Sequence, residues 1–397
     1  MKLKPGYKQT EVGVIPEEWG TNQCSEVSER IMVGIVIRPT QYYVRNGVPA
    51  FRSANIREDG INDVDLVFIS EASNARLAKS QTRTGDVLTV RTGYPGTSAV
   101  VHNNHAGCNC IDILITRPSN NLDSEWLAIW INSPFGKEQV LRNQGGLAQK
   151  HFNVGDMRNL VVALPPLSEQ HAIAEALRDV DTLLRALDRL IAKKQDLKQA
   201  AMQQLLTGQT RLPGFHGGWE VKRLGEIAHI KTGSKNNEDK VEDGQYPFFV
   251  RSEVVERINS YSHDCEAILV PGEGRIGDIF HYVNGRFDVH QRVYAITKFG
   301  PDISARFIHF YLSKNFGAWA MQNTVKATVD SLRLPTFLTF DMKLPPTCPE
   351  QTAIAEVLTN MDAELAALEQ RREKTRALKQ AMMQELLTGR TRLVKSK

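Results

Sequence analysis

Leu164 to Leu212 reads LPPLSEQHAIAEALRDVDTLLRALDRLIAKKQDLKQAAMQQLLTGQTRL, and Leu344 to Leu393 reads LPPTCPEQTAIAEVLTNMDAELAALEQRREKTRALKQAMMQELLTGRTRL. With one residue inserted near Pro349, roughly 25 of about 44 aligned positions are identical. Packing pressure alone keeps apolar positions alike. It does not keep Lys198 like Lys379, Gln199 like Gln380 or Arg211 like Arg392. The chain is a tandem duplication, and its function lies in what a duplicated architecture does.

Each copy has the marks of one long helix. Pro165-Pro166 and Pro345-Pro346 forbid helix just before it. Ser168 is placed to cap the first copy, and Glu169 and Glu350 sit in the opening turns, where the helix dipole favours a negative charge. Gly208 and Gly389 mark the ends. Apolar residues recur at spacings of four and three: Ile173, Leu177, Val180, Leu184, Leu187 and Ile191 in the first copy, Ile354, Leu358, Met361, Leu365 and Leu368 in the second. A second stripe runs through Leu183, Leu187, Leu190 and Leu197. A seam this long with charged flanks argues for a coiled coil. The competing reading is a helix lying on a larger core. If the two copies pair with each other, the chain between them must return, so the simplest geometry is an antiparallel coil with an approximate two-fold axis through it.

At 397 residues and 41% hydrophobic, the chain has room for two or three domains. The net charge of +4 permits a nucleic-acid partner without demanding one. Five cysteines, Cys24, Cys108, Cys110, Cys265 and Cys348, are odd in number and poorly framed for disulfides, which suggests a reducing cytoplasm. The opening MKLKPGYKQT has no apolar signal core, and no run of apolar residues is long enough to span a membrane.

The repeat extends more weakly beyond the helices. GVIPEEWGTNQCSEV near the start matches PGFHGGWEVKRLGEI in the middle, with Trp19 on Trp219. Each unit is therefore a Trp-led globular segment followed by a long helix. In the first segment, VPAFRSANI (48–56), GDVLTVRTG (85–93), CIDILIT (110–116) and VVAL read as strands, and SEWLAIWINSP (124–134) as a helix. In the second, YPFFVRSEV places Arg251-Ser252 on Arg52-Ser53, EAILVPGEGRIGD matches GDVLTVRTGYPGT, RVYAIT matches the third strand, and RFIHFYLSKNFG matches the helix. The long helices are nearly copied while the globular parts diverge. A protein built this way holds two different recognition surfaces on one fixed spacer.

Several motifs together resemble the specificity subunit of type I restriction–modification systems: YKQTEVGVIPEEW at the start, two LPP…EQ…IAE…L openings, two LLTGxTRL closings, and GWEVKRLGEI entering the second half. The resemblance covers essentially the whole chain. It implies an α+β protein with two pseudo-two-fold-related mixed α/β target-recognition domains separated by an antiparallel coiled coil. On this reading residues 1–164 are the first recognition domain, 165–212 the central long helix, 213–344 the second domain, and 345–397 the C-terminal long helix paired with the central one. It further implies double-stranded DNA as ligand and two methyltransferase subunits docked on the helices. Motor-nuclease subunits join the full complex. S-adenosylmethionine, ATP and magnesium are then expected only in those partners, in the cytoplasm. Exposed helix charges such as Arg178, Asp179, Arg371, Arg372 and Glu373 are docking candidates, against the simpler reading of a solvated face. Each head would enter a major groove, with half-sites about one helical turn, near 34 Å, apart. Because the heads differ, the target is expected to be asymmetric and split.

Candidate DNA-binding residues are Arg52, Arg91, Tyr94, Lys150 and His151 in the first head, and Arg251, Arg275, Lys326 and Arg333 in the second. They fall at strand ends or in Gly-rich and polar loops, where a side chain reaches a groove. For each, the alternative is a solvated cation or a salt bridge. Gly272 to Gly277 spells GxGxxG, but the following DIFHYVNGRFDV reads as strand and turn, so no helix presents its N-terminus to a pyrophosphate; a turn is expected. His102, His105, Cys108 and Cys110 in HNNHAGCNC lack the usual spacing of zinc ligands. There is no GxxxxGK[ST], no (N/D)PP(Y/F/W), no nucleophile elbow and no HExxH. The expected protein is a non-catalytic DNA-reading subunit without cofactor or metal. The competing expectation is a scaffold with two protein-binding heads on a coil, which would show no salt-dependent DNA affinity.

Overall fold

The computed structural model describes residues 5–142, 151–324 and 331–394. The chain forms two compact units, and each contains parts of both long helices. One comprises Met1–Leu187 with Arg371–Lys397, the other Asp188–Gln370. Among the described residues no helix is long and apolar enough to cross a membrane.

The long helices run Leu167–Leu205 and Cys348–Leu386, 39 residues each. At 1.5 Å per residue each is about 58 Å long. The first begins two residues earlier than Ser168 as cap would require. The Pro166 carbonyl accepts the amides of Glu169 (2.8 Å) and Gln170 (3.0 Å), so Pro166 fills the cap position and Ser168 lies inside the first turn. Proline suits a helix start because its φ is preset and the donor it lacks would have no partner there. Past the far ends, Gly208 and Gly389 adopt φ of 73° and 64°. A Cβ on Gly389 would come within 2.4 Å of Pro16, so the closing turn needs glycine for space as well as for its dihedral.

Within each unit the two helices are antiparallel. In the first, Ile173 and Leu177 share a core with Leu386 and Met383, and Asp181 pairs with Lys379 at 2.6 Å. In the second, Leu205 and Met202 share a core with Ile354 and Leu358. Lys194 there meets Glu364 at 2.7 Å, and Lys198 pairs with Asp362. Asp181 and Asp362 occupy equivalent positions, as do Lys379 and Lys198. The polar identity between the copies thus records one ion pair made twice. Of the expected seam, Ile173, Leu177, Leu187, Ile191, Ile354 and Leu358 are buried; Val180, Leu184, Met361, Leu365 and Leu368 are half-buried. Apart from Leu187, the second stripe is not part of it. Leu183, Leu190 and Leu197 are 39%, 39% and 46% exposed, because a two-helix seam covers only one face of each helix.

The first head has a four-stranded antiparallel sheet in the order Ser98–Val100, Val87–Val90, Ile113–Pro118, Ser28–Val33. Helix Ser124–Asn132, capped by Asp123, buries Trp126 and Trp130. Their indoles donate to the carbonyls of Ala163 (3.0 Å) and Val161 (2.9 Å), tying the helix to the strand Val161–Leu164 that leads into the coil. The second head has a six-stranded sheet in the order His229–Thr232, Val293–Thr297, His263–Pro271, His281–Val289, Tyr246–Phe249, Glu256–Ile258. Helix Ala305–Gln322 lies on it.

The heads share a framework, with one correction to the expected alignment. The Phe51 carbonyl accepts the Ile111 amide at 2.8 Å, and the Phe249 carbonyl accepts the His290 amide at 3.0 Å. Phe51 therefore corresponds to Phe249, and Arg251 corresponds to Ser53 rather than to Arg52. The Arg-Ser dipeptide suggests the other register, but the backbone ladder fixes this one, and Val250 stands where Arg52 does.

Candidate nucleic-acid interface

In both heads the central strand ends in the same turn. Val87–Val90 runs through Arg91 and Thr92 into Gly93, Tyr94, Pro95 and Gly96, and the two glycines have φ of 91° and 88°. His263–Pro271 runs through Gly272 and Glu273 into Gly274, Arg275, Ile276 and Gly277, where the glycines have φ of 88° and 76°. These left-handed dihedrals suit glycine, which has no Cβ to clash. Each turn is seated on a helix: a Cβ on Gly96 would lie 3.0 Å from Val140, and one on Gly277 would lie 2.6 Å from Gly317. The residue at the tip is left outside. Tyr94 is 85% exposed, and the Arg275 side chain is 60% exposed. The GxGxxG run is thus a strand-ending turn followed by strand His281–Val289, as its context suggests.

A returning segment closes the site in each head. The Phe152 amide donates to the Arg91 carbonyl at 3.2 Å, and the Leu332 amide donates to the Gly272 carbonyl at 2.8 Å. This sets His151 beside Thr92, with Nδ1 2.8 Å from the hydroxyl. Arg91 is ion-paired with Asp112 and donates from Nε to the Phe152 carbonyl at 3.3 Å. Asp112 has φ of 52° and interrupts what the sequence suggests is one strand, CIDILIT. Arg91, Tyr94 and His151 are therefore brought together. Arg52 follows the neighbouring strand, and its Nη2 donates to the Asp65 carbonyl at 2.7 Å. Lys150 and Lys326 lie outside the described residues.

In the second head Arg251 and Arg275 face each other's loops in crossed pairs. Arg251 meets Glu273 at 3.3 Å, and Arg275 meets Glu253 at 2.8 Å and Asp278 at 3.5 Å. Arg333 opens the helix Leu334–Leu338 and lines a cavity with Glu273, Gln291, Arg292 and Tyr294. Arg292 escapes sequence reasoning because it reads only as the first residue of RVYAIT. It lies 3.4 Å from Glu273. Burial, reinforced by the charges of Arg251 and Arg292, holds the His290 imidazole below its ordinary pKa. The exposed pairs of Arg275 are weak, so a phosphate or a base edge competes readily for its guanidinium group.

The HNNHAGCNC residues have other work. His105 Nε2 lies 2.9 Å from Asp63, and its ring sits edge-on to Phe51. Cys108 and Cys110 are buried, and burial raises both thiols above their ordinary pKa.

Residues 35–198 and again 216–377 match the family model described as type I restriction modification DNA specificity domain. A Methanocaldococcus jannaschii protein assigned as the MjaX type I restriction enzyme specificity subunit is 22% identical over 98% of this chain and 97% of its own. The EcoDI specificity subunit of Escherichia coli is 31% identical over 43% of this chain and 37% of its own. The crystal structure of a type-I restriction-modification S subunit from M. genitalium aligns with a TM-score of 0.65 over 97% of this chain and 98% of that one, at 14% identity.

Proposed function

The chain belongs to the type I restriction modification DNA specificity family and is a specificity subunit with two target-recognition domains, and from this premise we propose how it selects its target. Each head reads one half of a split, asymmetric DNA sequence. The observation that carries this is the repeated turn, where one backbone presents Tyr94 in the first head and Arg275 in the second. Two heads with the same side chains would select equivalent half-sites; these two select different ones. Arg91, Tyr94 and His151 face the first half, and Arg251, Arg275, Arg292 and Arg333 face the second. Affinity comes from phosphate contacts, and selectivity from the few side chains that reach base edges.

The chain performs no chemistry of its own. Methyltransferase subunits, two in keeping with the duplication, dock on the coil, and motor-nuclease subunits join them. The exposed leucines Leu190 and Leu197, seven residues apart on one helix of the second unit, give a partner helix apolar positions to pack on. S-adenosylmethionine, ATP and magnesium are held by those partners, which methylate adenine or cut unmodified DNA. A methylation map of the host genome with and without the gene tests this. Deletion is expected to erase one split, asymmetric methylated motif. Erasure of a palindromic motif, or no change in a host whose methyltransferase is expressed, would contradict it.

A further inference from the structure

We propose that Glu273 is a positioning residue for a two-arginine guanine reader in the second head, an inference that rests on reading that loop cluster as the DNA interface. Both carboxylate oxygens are engaged: Oε2 lies 3.3 Å from Arg251 Nη1, and Oε1 lies 3.4 Å from Arg292 Nη1. The two arginines come from different places, one from the loop after Tyr246–Phe249 and the other from the residue before Val293–Thr297. Among the described residues, the shared carboxylate joins their tips. The Glu273 side chain is 22% exposed, against 44% and 54% for the arginines, so the acid lies behind and the guanidinium groups in front.

The carboxylate starts from a fixed backbone. Glu273 bridges Ser331, and the preceding Gly272 accepts the Leu332 amide at 2.8 Å. A Cβ at Gly272 would approach Tyr294 to 2.8 Å, so the strand end is pressed against the sheet. One negative charge between two positive ones leaves the pair cationic. Each guanidinium has five N–H donors in a planar fork, and a single contact to Glu273 leaves most of them for another acceptor. A fork held in this way matches O6 and N7 of guanine, the commonest base-specific arginine contact. Among the described residues the first head shows no counterpart: Thr92 stands where Glu273 does, and Asp112 pairs with one arginine, Arg91. Guanine preference from such a fork therefore belongs to the second half-site.

The test uses the full chain assembled with its methyltransferase partner, and DNA libraries randomised in both half-sites, with methylation as readout. The wild type is expected to require guanine at one or two positions of the second half. E273Q is expected to lower that preference roughly tenfold, the scale of one good bidentate contact, while leaving the first half unchanged. The first half serves as an internal check on folding. Loss of preference in both halves would make Glu273 a structural residue and overturn the proposal, as would a wild-type second half without guanine. R251A and R292A test the premise. If neither alters the second half, the loop cluster is not the reader. If both relax it and E273Q does not, the DNA reading stands and the positioning role falls.

Discussion

Glu169 is 1% exposed, and its carboxylate is fully used. Arg392 grips it through two nitrogens at 2.5 and 2.7 Å, and the Trp19 indole donates at 3.1 Å. The hydrogen bond to Glu169 raises the Arg392 pKa further against the opposing effect of burial, so the guanidinium stays charged at any working pH. In the second unit Arg211 grips the equally buried Glu350 at 2.5 and 2.7 Å. Removing one partner of such a pair leaves a buried charge uncompensated. Arg392→Ala is expected to cost about 3–5 kcal/mol in urea unfolding; a cost within the error of the measurement would mean that water compensates Glu169. The tryptophans differ. Trp219 Nε1 is buried without a partner among the described residues. Trp219→Phe, which removes that orphan donor, is expected to be near neutral, whereas Trp19→Phe should lose about 1–3 kcal/mol. Equal losses would show that ring packing alone matters at both sites. His309 gives a pH dependence. Burial lowers its pKa, Nε2 faces the Phe280 carbonyl at 3.2 Å, and Nδ1 is buried without a partner among the described residues. Arg306, Asp362 and His281 also face it. The folded form resists protonation, so the unfolded chain binds the extra proton, and stability falls as pH drops below about 6.5. His309→Gln should flatten that acid limb in denaturation measured across pH; an unchanged slope would assign it to other groups. The arginines of these grips are visible in the sequence as shared polar positions. Glu169 and Glu350 are visible only as helix-opening acids, because the fold-back of the TRL tail onto the helix start is a tertiary event.

The long helices are the most legible elements. Their apolar period, proline entry and glycine exit place each within a few residues of its observed bounds. What periodicity cannot tell is which of two stripes is covered. Leu183, Leu190 and Leu197 share the heptad spacing of buried residues yet remain exposed, because burial depends on how many helices surround the seam. The strand register shows the same limit. Arg52 and Arg251 look equivalent by local identity, and the carbonyls of Phe51 and Phe249 show that they are offset by one residue. The likeness of the paired turns is readable through their glycines, which set GEGRIG on RTGYPG, but not the returning segments that close them, because those contacts are tertiary. Asp112 and Arg292 were hidden inside runs that read as plain strand. If the coil is the spacer, its length sets the gap in the target. Seven residues added to each long helix at matched levels keep the phase of the seam and lengthen it by about 10 Å, close to three base pairs. The unspecified gap in the methylated motif should lengthen accordingly, or methylation should cease. An unchanged gap would show that something other than the coil fixes the spacing.

The duplication explains the whole chain. Its two halves repeat the entry strand, the sheet, the two-glycine turn, the head helix, the long helix and the arginine that closes each unit. They differ in the residues at the loop ends, where Tyr94, His151 and a paired Arg91 stand against four arginines. A pair of divergent heads on copied helices suits a reader whose two half-sites change independently. The measurement that tests this most directly is methylation sequencing of DNA from a host carrying the chain with Trp19–Leu164 replaced by the corresponding segment of a family relative. One half of the methylated motif should change to the relative's, while the other half and the gap stay as they were. A change in both halves would show that the heads do not read DNA independently, and the modular account would be wrong.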